Sequence, residues 1–457
     1  MNAIPEHIFR AYDIRGIAGS ELDEAFARRL GQTVAAEYPG AQEVAVGRDG
    51  RHSSDALAAA LIEGLADAGV TAHDVGRVPT PVLYFATHEL GHGSGIMVTG
   101  SHNPPEYNGF KMVFQGHTLA GDDIQALRAR MLQDLPCPGG GQRLEKNVSR
   151  AYVERIASDI QVARPMRIAL DAGNGVAGPI AAEVLRACGV EVTELYCDVD
   201  GDFPNHHPNP SDAKNLQDLR TRVLEDKLDL GLALDGDGDR CGVVDDQGEI
   251  LWADRQLMVH AVDVLDREPG ATVVFDVKCS SLLPRVIEES GGAPVMARTG
   301  HSFIKAKMKE TQAALAGEMS GHLFFQERWY GFDDGIYAGA RLLQILAEKE
   351  EPASAVFAAL PQACVTPEIN IPFEVDGDQH RFIEKFSACA EFPGARLTKI
   401  DGVRADFEDG FGLARASNTT PYVVTRFEGT TWDVIERIQA EFRRQMLAVD
   451  PGLELPF

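Results

Sequence analysis

"RIALDAGNGVAGPIAAEVLRACGVEVTELYC", at residues 167–197, predicts a complete strand–helix–strand unit. A short apolar run ends at Asp171, an amphipathic run follows as far as Gly189, and a second apolar run comes directly after it. A glycine in that place suits the left-handed conformation that closes many helices. Strand, crossover helix and strand form the building unit of parallel α/β sheets. The stretch therefore predicts an α/β fold.

The same plan occurs twice more along the chain. The copies are "VAVGRDGRHSSDALAAALIEGLADAGVTAHDVG" at 44–76 and "TVVFDVKCSSLLPRVIEESGGAPVMART" at 272–299. A period of more than a hundred residues is too long for a solenoid and indicates domain duplication. Unrelated α/β domains share this order of elements too, but the strand-end aspartate common to all three copies favours duplication. These aspartates are Asp49, Asp171 and Asp276.

The last ninety or so residues follow a different pattern, with short alternating strands, a hydroxyl-rich loop and one helix predicted at 432–447. The sequence thus predicts three similar α/β domains and a C-terminal α+β domain. The predicted domains are 1–148, 149–250, 251–363 and 364–457.

Composition excludes several classes of partner. The 457 residues include 43 Lys and Arg against 69 Asp and Glu, a formal charge of -26, and no basic run gathers into a patch. Such a charge repels nucleic acid and anionic lipid. Seven cysteines without a CxxC pair predict free thiols in a reducing compartment. Neither a signal peptide nor an apolar stretch of membrane-spanning length is present. We expect a cytoplasmic protein that binds neither nucleic acid nor membrane.

A metal site is predicted in "LDLGLALDGDGDRCGVV", residues 228–244, where Asp235, Asp237 and Asp239 alternate with glycines between two apolar runs. Three carboxylates held this close repel one another unless a cation lies between them, and oxygen ligands favour Mg²⁺ or Ca²⁺. An EF-hand loop is excluded because its sixth and twelfth positions are Arg240 and Asp246 rather than Gly and Glu. The alternative is an acidic, solvated turn.

Two features of the sequence suggest phosphate chemistry. Arg240 follows the aspartates directly, and a metal beside an arginine is a common arrangement around a phosphoryl group. In "TGSHNPPEYNGFK", residues 99–111, Ser101 stands at a predicted strand end before a rigid "NPP" turn. His102 suggests a serine hydrolase, but adjacent side chains rarely face each other and no G-x-S-x-G elbow is present. A serine that accepts and returns a phosphoryl group fits better, with Lys111 available to balance charge.

Three further segments add polar groups. Arg15, in "FRAYDIRG" at 9–16, could contact phosphate. In "GEMSGH" at 317–322, Glu318 and Ser320 are groups that bind paired sugar hydroxyls, and His322 could move a proton near neutral pH. The run "KAKMKE" at 305–310 is predicted to be a solvated helix face.

A phosphate cradle is predicted in "RASNTTP" at 415–421. Arg415 supplies a planar fork for phosphate, and the neighbouring hydroxyl, amide and backbone N–H groups supply further donors. These neighbours are Ser417, Asn418, Thr419 and Thr420. A generic turn is the alternative for the Ser-Asn-Thr part.

Together, the five segments "FRAYDIRG", "TGSHNPPEYNGFK", "DGDGDR", "GEMSGH" and "RASNTTP" resemble the motifs of the α-D-phosphohexomutase superfamily, in family order. The likeness covers nearly the whole chain and is greatest to the bacterial phosphomannomutase/phosphoglucomutase branch. Met319 also resembles that branch, because the glucosamine branch usually carries Gln in that place. The resemblance implies mixed sheets and four domains around a central cleft, each contributing one loop.

The resemblance also implies a role for each motif residue. Ser101 would be the phosphoserine, and its phosphate would complete a Mg²⁺ site made by Asp235, Asp237 and Asp239. Arg15, Lys111 and Arg240 would support phosphoryl transfer, with Lys111 and His322 as proton-transfer groups. The residues expected to bind substrate are Tyr12, Lys278, His301, Glu318, Ser320, His322, Arg415, Ser417, Asn418 and Thr419.

The implied reaction moves a phosphoryl group between the 1 and 6 positions of mannose and glucose phosphates. A hexose 1,6-bisphosphate would be both the intermediate and the activator, Mg²⁺ the cofactor, and hexose phosphates the partners of a monomeric enzyme. Phosphoglucosamine mutase and a Mg²⁺-dependent sugar phosphatase are the alternatives. A Ca²⁺-stabilised sugar-phosphate binding protein is the non-catalytic alternative.

Overall fold

Four β-sheets organise the chain. The computed structural model describes residues 4–375, 377–418 and 420–457. Within these ranges the sheets have seven, five, four and six strands in chain order. The first three mix parallel and antiparallel strands and carry helices, whereas the last is antiparallel throughout. The predicted fold class is therefore confirmed, and the predicted domain boundaries stay predictions.

The first sheet has the strand order β1-β5-β4-β2-β3-β7, with β6 paired to β5. Its parallel centre is formed by β2, β3, β4 and β7, and β5 returns antiparallel beside β4. The strands are β1 (Ile14–Ile17), β2 (Glu43–Arg48), β3 (Thr71–Arg77), β4 (Gly95–Val98), β5 (Tyr107–Phe114), β6 (His117–Thr118) and β7 (Arg143–Glu145). The helices are α1 (Glu24–Glu37), α2 (Ser54–Asp67), α3 (Thr80–Glu89) and α4 (Asp122–Met131).

The second sheet has the order β12-β11-β10-β8-β9. Its elements are α5 (Ser149–Asp159), β8 (Arg167–Asp171), α6 (Gly178–Ala187), β9 (Glu191–Leu195), a 3₁₀ turn (Ala213–Leu216), α7 (Gln217–Asp226), β10 (Leu230–Leu234), β11 (Cys241–Asp245) and β12 (Ile250–Leu251). Strands β10 and β11 form a hairpin whose connection carries the three aspartates of the predicted metal site.

The third sheet has the order β14-β13-β15-β16. Its elements are α8 (Ala253–Arg267), β13 (Thr272–Asp276), α9 (Leu282–Glu289), β14 (Ala293–Ala297), α10 (His301–Thr311), β15 (Leu315–Gly317), β16 (Leu323–Phe325), α11 (Gly335–Ala347) and α12 (Ala353–Ala358). The three predicted strand–helix–strand units are confirmed as β2-α2-β3, β8-α6-β9 and β13-α9-β14, each with parallel strands.

The fourth sheet has the order β17-β22-β21-β20-β19, with β18 paired to β22. Its elements are β17 (Cys364–Val365), β18 (Ile369–Pro372), α13 (Asp378–Cys389), β19 (Arg396–Thr398), β20 (Val403–Phe407), β21 (Gly410–Ala416), β22 (Tyr422–Gly429) and α14 (Trp432–Val449). The predicted C-terminal helix is confirmed as α14. Helix α13 was not predicted, and it packs against the sheet through Phe382, Ile383 and Phe386.

One continuous apolar core joins parts of the first three sheets. Phe85 of α3 contacts Tyr152 of α5 edge to face, with ring centroids 5.6 Å apart. Trp329, in the segment before α11, stacks on Tyr337 of that helix at 4.3 Å. The fourth sheet has its own core between its strands and helices α13 and α14. The first three sheets thus share one packed body, and the fourth is a separate layer attached to it.

Two buried arginines attach the fourth sheet to the third. Arg404 of β20 donates to the carbonyl oxygens of Val277 and Cys279, at 2.7 and 2.6 Å. Arg426 of β22 donates to the carbonyl oxygen of Lys278 and to Asp254, at 2.5 and 3.2 Å. Side chains of the fourth sheet therefore hold the backbone of the loop that follows β13.

Among the described residues, no helix combines the length and the apolar character needed to cross a bilayer.

Candidate active site

Ser101 lies three residues beyond the end of β4, in the loop that leads to β5. Its φ of 50° is in the left-handed region that side chains other than glycine rarely adopt, and it is 1% exposed. Its backbone N–H donates to Thr99 Oγ1 at 2.8 Å. A strained backbone persists only where its surroundings hold it, so the hydroxyl of Ser101 is presented in a fixed position.

The guanidinium of Arg51 binds the backbone of the loop that carries Ser101. Its side chain is fully buried and forms an ion pair of 3.2 Å with Asp49, the strand-end aspartate after β2. A methyl group at Gly100 would lie 2.5 Å from the guanidinium, so the loop can approach Arg51 only with glycine there. Arg51 donates to four carbonyl oxygens at distances between 2.5 and 2.9 Å, those of Ser101, Asn103, Pro104 and Tyr107.

The hydroxyl of Ser101 contacts two side chains. It donates to Asp235 Oδ2 at 3.1 Å, which joins the first sheet to the hairpin of the second. It also lies 3.1 Å from His102 Nδ1. The expectation that the adjacent histidine would not face Ser101 is wrong, because the left-handed backbone at Ser101 turns both side chains to one side. Burial and the neighbouring Arg240 hold the pKa of His102 well below its ordinary value.

The three aspartates of the β10–β11 connection converge. Asp235, Asp237 and Asp239 are fully buried, and one oxygen of each lies within 4.8 Å of the others. Gly236 brings their backbone against the Ser101 loop, because a methyl group there would lie 2.3 Å from the Ser101 carbonyl oxygen. Burial and the two neighbouring carboxylates raise the pKa of Asp235 well above its ordinary value.

Lys111 of β5 supplies a positive charge beside this cluster. Its ammonium donates to Asp237 Oδ2 at 2.7 Å and to Asp239 Oδ2 at 2.5 Å. Burial opposes the charge on Lys111, but these carboxylates outweigh it and raise the pKa of the ammonium well above its ordinary value. Thr80 donates to the same Asp237 oxygen at 2.5 Å.

The donor set of the cluster fits a metal ion. In the described part of the chain, Asp237 Oδ1 and Asp239 Oδ1 are buried without a hydrogen-bond partner. Buried carboxylate oxygens are costly unless a donor or a cation satisfies them. Three carboxylates without nitrogen or sulfur ligands suit a hard divalent cation. These three residues could therefore hold a metal ion.

A second cluster connects Arg240, His322 and Asp333. Arg240 Nε donates to His322 Nε2 at 2.9 Å, so this nitrogen carries no proton, and His322 Nδ1 faces Asp333 Oδ2 at 3.1 Å. Asp333 also pairs with Lys305 at 2.8 Å. The prediction that "KAKMKE" is solvated is wrong for Lys305, whose side chain is only 11% exposed because it reaches inward to Asp333.

The N-terminal motif reaches the same region from β1. Arg15 donates to Asn103 Oδ1 in the Ser101 loop and to the buried Asp13, both at 2.5 Å. Its Nε is buried with no partner among the described residues. Tyr12 packs edge to face on His301, with ring centroids 5.0 Å apart.

The sugar-binding candidates lie beyond the carboxyl ends of β14 and β15. Glu318 is 2% exposed and accepts from the Gly300 N–H at 2.5 Å, and burial raises its pKa. Ser320 is partly buried, and its carbonyl oxygen accepts from Ser211. His301 stacks on His322 at 5.6 Å, and burial holds its pKa well below the ordinary value.

The predicted phosphate cradle lies at the end of β21. Arg415 is 5% exposed, donates through Nε to Asp401 at 2.9 Å, and has a buried Nη2 without a partner in the described residues. Ser417 Oγ lies 2.9 Å from Thr420 Oγ1, and Asn418 is partly buried. Thr419 lies outside the described residues.

Lys278 connects this cradle to the third sheet. It follows the end of β13, is 8% exposed, and pairs with Glu368 at 2.9 Å. Asp401 accepts from the Thr299 N–H at 3.0 Å as well as from Arg415. The cradle is thus shared by loops of the third and fourth sheets.

Sequence reasoning missed three residues of this site: Arg51, Lys305 and Asp333. Arg51 comes two residues after Asp49, one of the three strand-end aspartates. This position is a sequence signal from which Arg51 could have been predicted. Lys305 and Asp333 had no motif to mark them. Their roles depend on a contact across 28 residues of sequence.

Four family models match consecutive parts of the chain. Models described as phosphoglucomutase/phosphomannomutase alpha/beta/alpha domains I, II and III match residues 6–135, 150–248 and 252–364. The model of the C-terminal domain of the same proteins matches residues 368–445.

The chain belongs to the phosphoglucomutase/phosphomannomutase family.

Relatives in this family match the chain along its full length. The phosphomannomutase/phosphoglucomutase of Pseudomonas aeruginosa is 51% identical over 456 residues, which are 99% of this chain and 98% of that protein. The phosphoglucomutase of Neisseria gonorrhoeae is 52% identical over 448 residues, 97% of each chain. A crystal structure of a phosphoglucomutase/phosphomannomutase family protein from Burkholderia thailandensis superposes with a TM-score of 0.93 at 49% identity, covering 99% of this chain and 100% of that one.

Proposed function

We propose that this enzyme reversibly transfers a phosphoryl group between the 1 and 6 positions of hexose phosphates, with Ser101 as the phosphoryl carrier. The observation that carries the proposal is the 3.1 Å hydrogen bond from the Ser101 hydroxyl to Asp235, inside a cluster of three buried carboxylates flanked by Lys111. Lys111, together with a cation held by the three carboxylates, would offset the negative charge of a phosphoryl group on this serine. The names of the family's relatives, which include both phosphomannomutase and phosphoglucomutase, support the same reaction.

Each half-reaction exchanges one bond to phosphorus. The bond from Ser101 Oγ to phosphorus breaks while a bond from phosphorus to the free sugar hydroxyl forms. The sugar hydroxyl gives up one proton and Ser101 Oγ takes up one, so the protons balance within each half-reaction. We assign this proton transfer to Lys111 and His322, which lie 2.5 and 3.5 Å from Asp239. The second half-reaction runs the same exchange in reverse from the other end of the bisphosphate.

Charge balance is the main task of the protein in such a transfer, since the reacting phosphoryl oxygens are negative throughout. Magnesium, when bound by Asp235, Asp237 and Asp239, would supply positive charge to the transferring group. Lys111 adds its positive charge from β5, 2.7 Å from Asp237. Arg15 contacts the Ser101 loop through Asn103, and Arg240 lies 3.8 Å from Asp235.

The second phosphate of the substrate requires a separate anion site. Arg415 offers a buried Nη2 that has no partner in the part of the chain the structure describes, and Lys278 adds an ammonium from the adjacent loop. We assign these two residues, with Ser417, Asn418 and Thr419, to the phosphate that is not reacting. Glu318 and Ser320 would bind the sugar hydroxyls between the two phosphate sites. A bound 1,6-bisphosphate must therefore turn end for end before the second transfer.

Intact-mass and kinetic measurements test the proposal together. The purified protein should carry one phosphate on Ser101, and S101A should carry none. S101A should also lose on the order of 10³-fold or more in the conversion of glucose 1-phosphate to glucose 6-phosphate. The matched control is S158A, at an exposed helical serine that binds only a local carbonyl oxygen. Full activity in S101A would refute the assignment, and steady release of inorganic phosphate without a bisphosphate requirement would indicate a phosphatase.

Sugar preference is tested by comparing kcat/KM for mannose, glucose and glucosamine 1-phosphates. We expect mannose and glucose phosphates to be preferred. A preference for the glucosamine substrate would make the enzyme a phosphoglucosamine mutase instead. The expected cytoplasmic location and monomeric state stay predictions.

A further inference from the structure

A cluster of two histidines and one glutamate lies at the end of the first sheet where strands β2 and β4 begin, opposite the Ser101 loop. Glu43 is the first residue of β2, His73 is in β3, and His92 precedes β4. Ser101, in contrast, follows the carboxyl end of β4. A strand rises about 3.3 Å per residue, so the two places are separated by on the order of 20 Å. The cluster is therefore distinct from the site of the proposed phosphoryl transfer.

Strand register brings the three side chains together. Ala45 pairs with His73 on one side and with Gly95 on the other. Side chains alternate along a strand, so Glu43 and His73 project from the same face of the sheet. One ligand atom from each of Glu43, His73 and His92 lies within 4.8 Å of the others. His73 Nε2 is 2.7 Å from Glu43 Oε2, and the two imidazole rings stack at 5.2 Å.

The turn that carries His92 is fixed by its backbone. Gly91 and Gly93, on either side of His92, have φ values of 76° and 63°. The Gly93 N–H donates to the Thr87 carbonyl oxygen at 3.0 Å, and the Gly93 carbonyl oxygen accepts from Gly116 at 2.8 Å. The backbone of this turn thus fixes the position of His92.

The imidazole nitrogens of this cluster are incompletely satisfied. Within the described residues, His73 Nδ1 and at least one ring nitrogen of His92 are buried from solvent without a hydrogen-bond partner. Buried polar atoms without partners are costly, and each one in a native protein requires an explanation. Imidazole nitrogen is a good ligand for Zn²⁺, and two histidines with one glutamate form a recurrent three-ligand set for that ion.

We infer that Glu43, His73 and His92 form a binding site for a divalent transition metal of the Zn²⁺ class, separate from the carboxylate cluster around Asp237. Glu43 is half exposed, so the site opens to solvent on its side and leaves room for water as a fourth ligand. The ion would connect β2, β3 and the turn before β4, and would stabilise the first sheet without contact with substrate.

The protonation states of two members suit metal binding at neutral pH. Burial lowers the pKa of His92, which favours the neutral imidazole that binds a metal. The hydrogen bond to His73 lowers the pKa of Glu43 and favours its carboxylate. The lowered pKa values of His92 and Glu43 are thus consistent with the geometry of the cluster.

Calorimetric titration of the chelator-treated, full-length enzyme with ZnCl₂ tests the site. Excess MgCl₂ is present throughout to occupy the carboxylate cluster. We expect H92A to bind one Zn²⁺ fewer per chain than the wild type, and E43Q to lose at least about tenfold in affinity at this site. The control is H117A, which removes an exposed histidine paired with Asp123 at 3.0 Å but without a third ligand. Equal Zn²⁺ affinity in wild type and H92A would overturn the inference.

Two further measurements keep the test independent of folding defects and of the active site. X-ray absorption at the zinc edge should detect two imidazole ligands at about 2.0–2.1 Å, and a shell of oxygen ligands alone would overturn the inference. Zinc should raise the thermal midpoint of the wild type and of H117A, but not that of H92A. Because His92 contacts no part of the proposed active site, H92A should retain wild-type turnover of glucose 1-phosphate in Mg²⁺ without zinc.

Discussion

Arg51 Nη2 donates a 2.8 Å hydrogen bond to the carbonyl oxygen of Ser101, and this bond is one of four that the same guanidinium makes to the loop. The backbone of Ser101 is left-handed at φ 50°. The carrier hydroxyl therefore depends for its position on a side chain that lies fifty residues earlier in the sequence.

R51K should lower kcat by about 10²-fold, because a lysine keeps the charge beside Asp49 but cannot contact four carbonyl oxygens, and small displacements of a reacting group are costly. Steady-state kinetics on glucose 1-phosphate measure the effect, and the degree of Ser101 phosphorylation by intact mass accompanies it. The control is R48K, three residues earlier, where the arginine pairs with Asp55 and Asp74 rather than with the loop. Unchanged kcat in R51K would contradict a positioning role.

D333N should reduce kcat more than it changes KM, by about tenfold to a hundredfold, because Asp333 faces His322 Nδ1 at 3.1 Å and fixes the orientation of that ring. The pH profile of kcat should change as well, since the group opposite His322 becomes neutral. The control is K307M, at a lysine of the same helix that pairs with Glu310 instead of Asp333, and it should keep the wild-type pH profile. A kcat for D333N equal to that of the wild type would rule out this role.

Removal of the metal should abolish activity. Dialysis against a chelator should lower turnover to background, and added Mg²⁺ should restore it. In D239N the Mg²⁺ concentration for half-maximal activity should rise by at least about tenfold, because one of three carboxylate ligands loses its charge. D246N, at the exposed end of the same hairpin, is the control. Full turnover in chelator would contradict the metal assignment.

R415K should raise KM by about tenfold with a smaller effect on kcat, since lysine keeps the charge but loses the planar fork that binds phosphate with two hydrogen bonds. Initial rates over a range of glucose 1-phosphate concentrations separate the two constants. R437K, an exposed arginine paired with Asp409 on the same layer, should match the wild type. A KM unchanged in R415K would place the second phosphate elsewhere.

Stability should fall as pH rises from about 4 to about 7 because of Asp334. Burial raises the pKa of this carboxyl to about 7, well above its value in an unfolded chain. The folded state therefore holds a proton that the unfolded state has lost, and the free energy of unfolding decreases by up to about 1.4 kcal/mol per pH unit between roughly pH 4 and pH 7. Asp334 also caps α11 by accepting from the Tyr337 N–H at 2.9 Å.

Urea unfolding of the wild type and of D334N at pH 5, 6 and 7 measures this contribution. Asn keeps the cap but does not titrate, so D334N should lack that part of the slope. D378N, at an exposed helix start, should keep the wild-type slope. Parallel slopes for wild type and D334N would show that Asp334 does not gain its proton in this range.

Local sequence patterns were sufficient for much of this molecule. The strand-end aspartates and helix-closing glycines identified three parallel units, because both signals arise from backbone geometry within some thirty residues. Alternate spacing was enough to bring Asp235, Asp237 and Asp239 together, since all three lie in one hairpin connection. These features depend on neighbours in sequence, and the structure contains them as predicted.

The remaining features depend on contacts that sequence spacing does not encode. Lys305 lies in a charged helix and points inward only because Asp333, from another segment, lies opposite it. His102 faces Ser101 because of one left-handed residue, which no pattern of polar and apolar residues predicts. Helix α13 was missed although Phe382, Ile383 and Phe386 form an apolar face, because the surrounding strands dominated the pattern of that region.

The arginine contacts of the last sheet have a consequence for chimeric enzymes. Arg404 and Arg426 bind the backbone of Val277, Lys278 and Cys279, so this loop and the C-terminal layer form one exchangeable module. Replacing the C-terminal residues by those of a relative would leave the loop with foreign partners unless residues 277–279 were transplanted too. A recombination boundary near residue 364 would therefore separate the loop at 277–279 from the arginines that bind it. The linear sequence gives little sign of this connection.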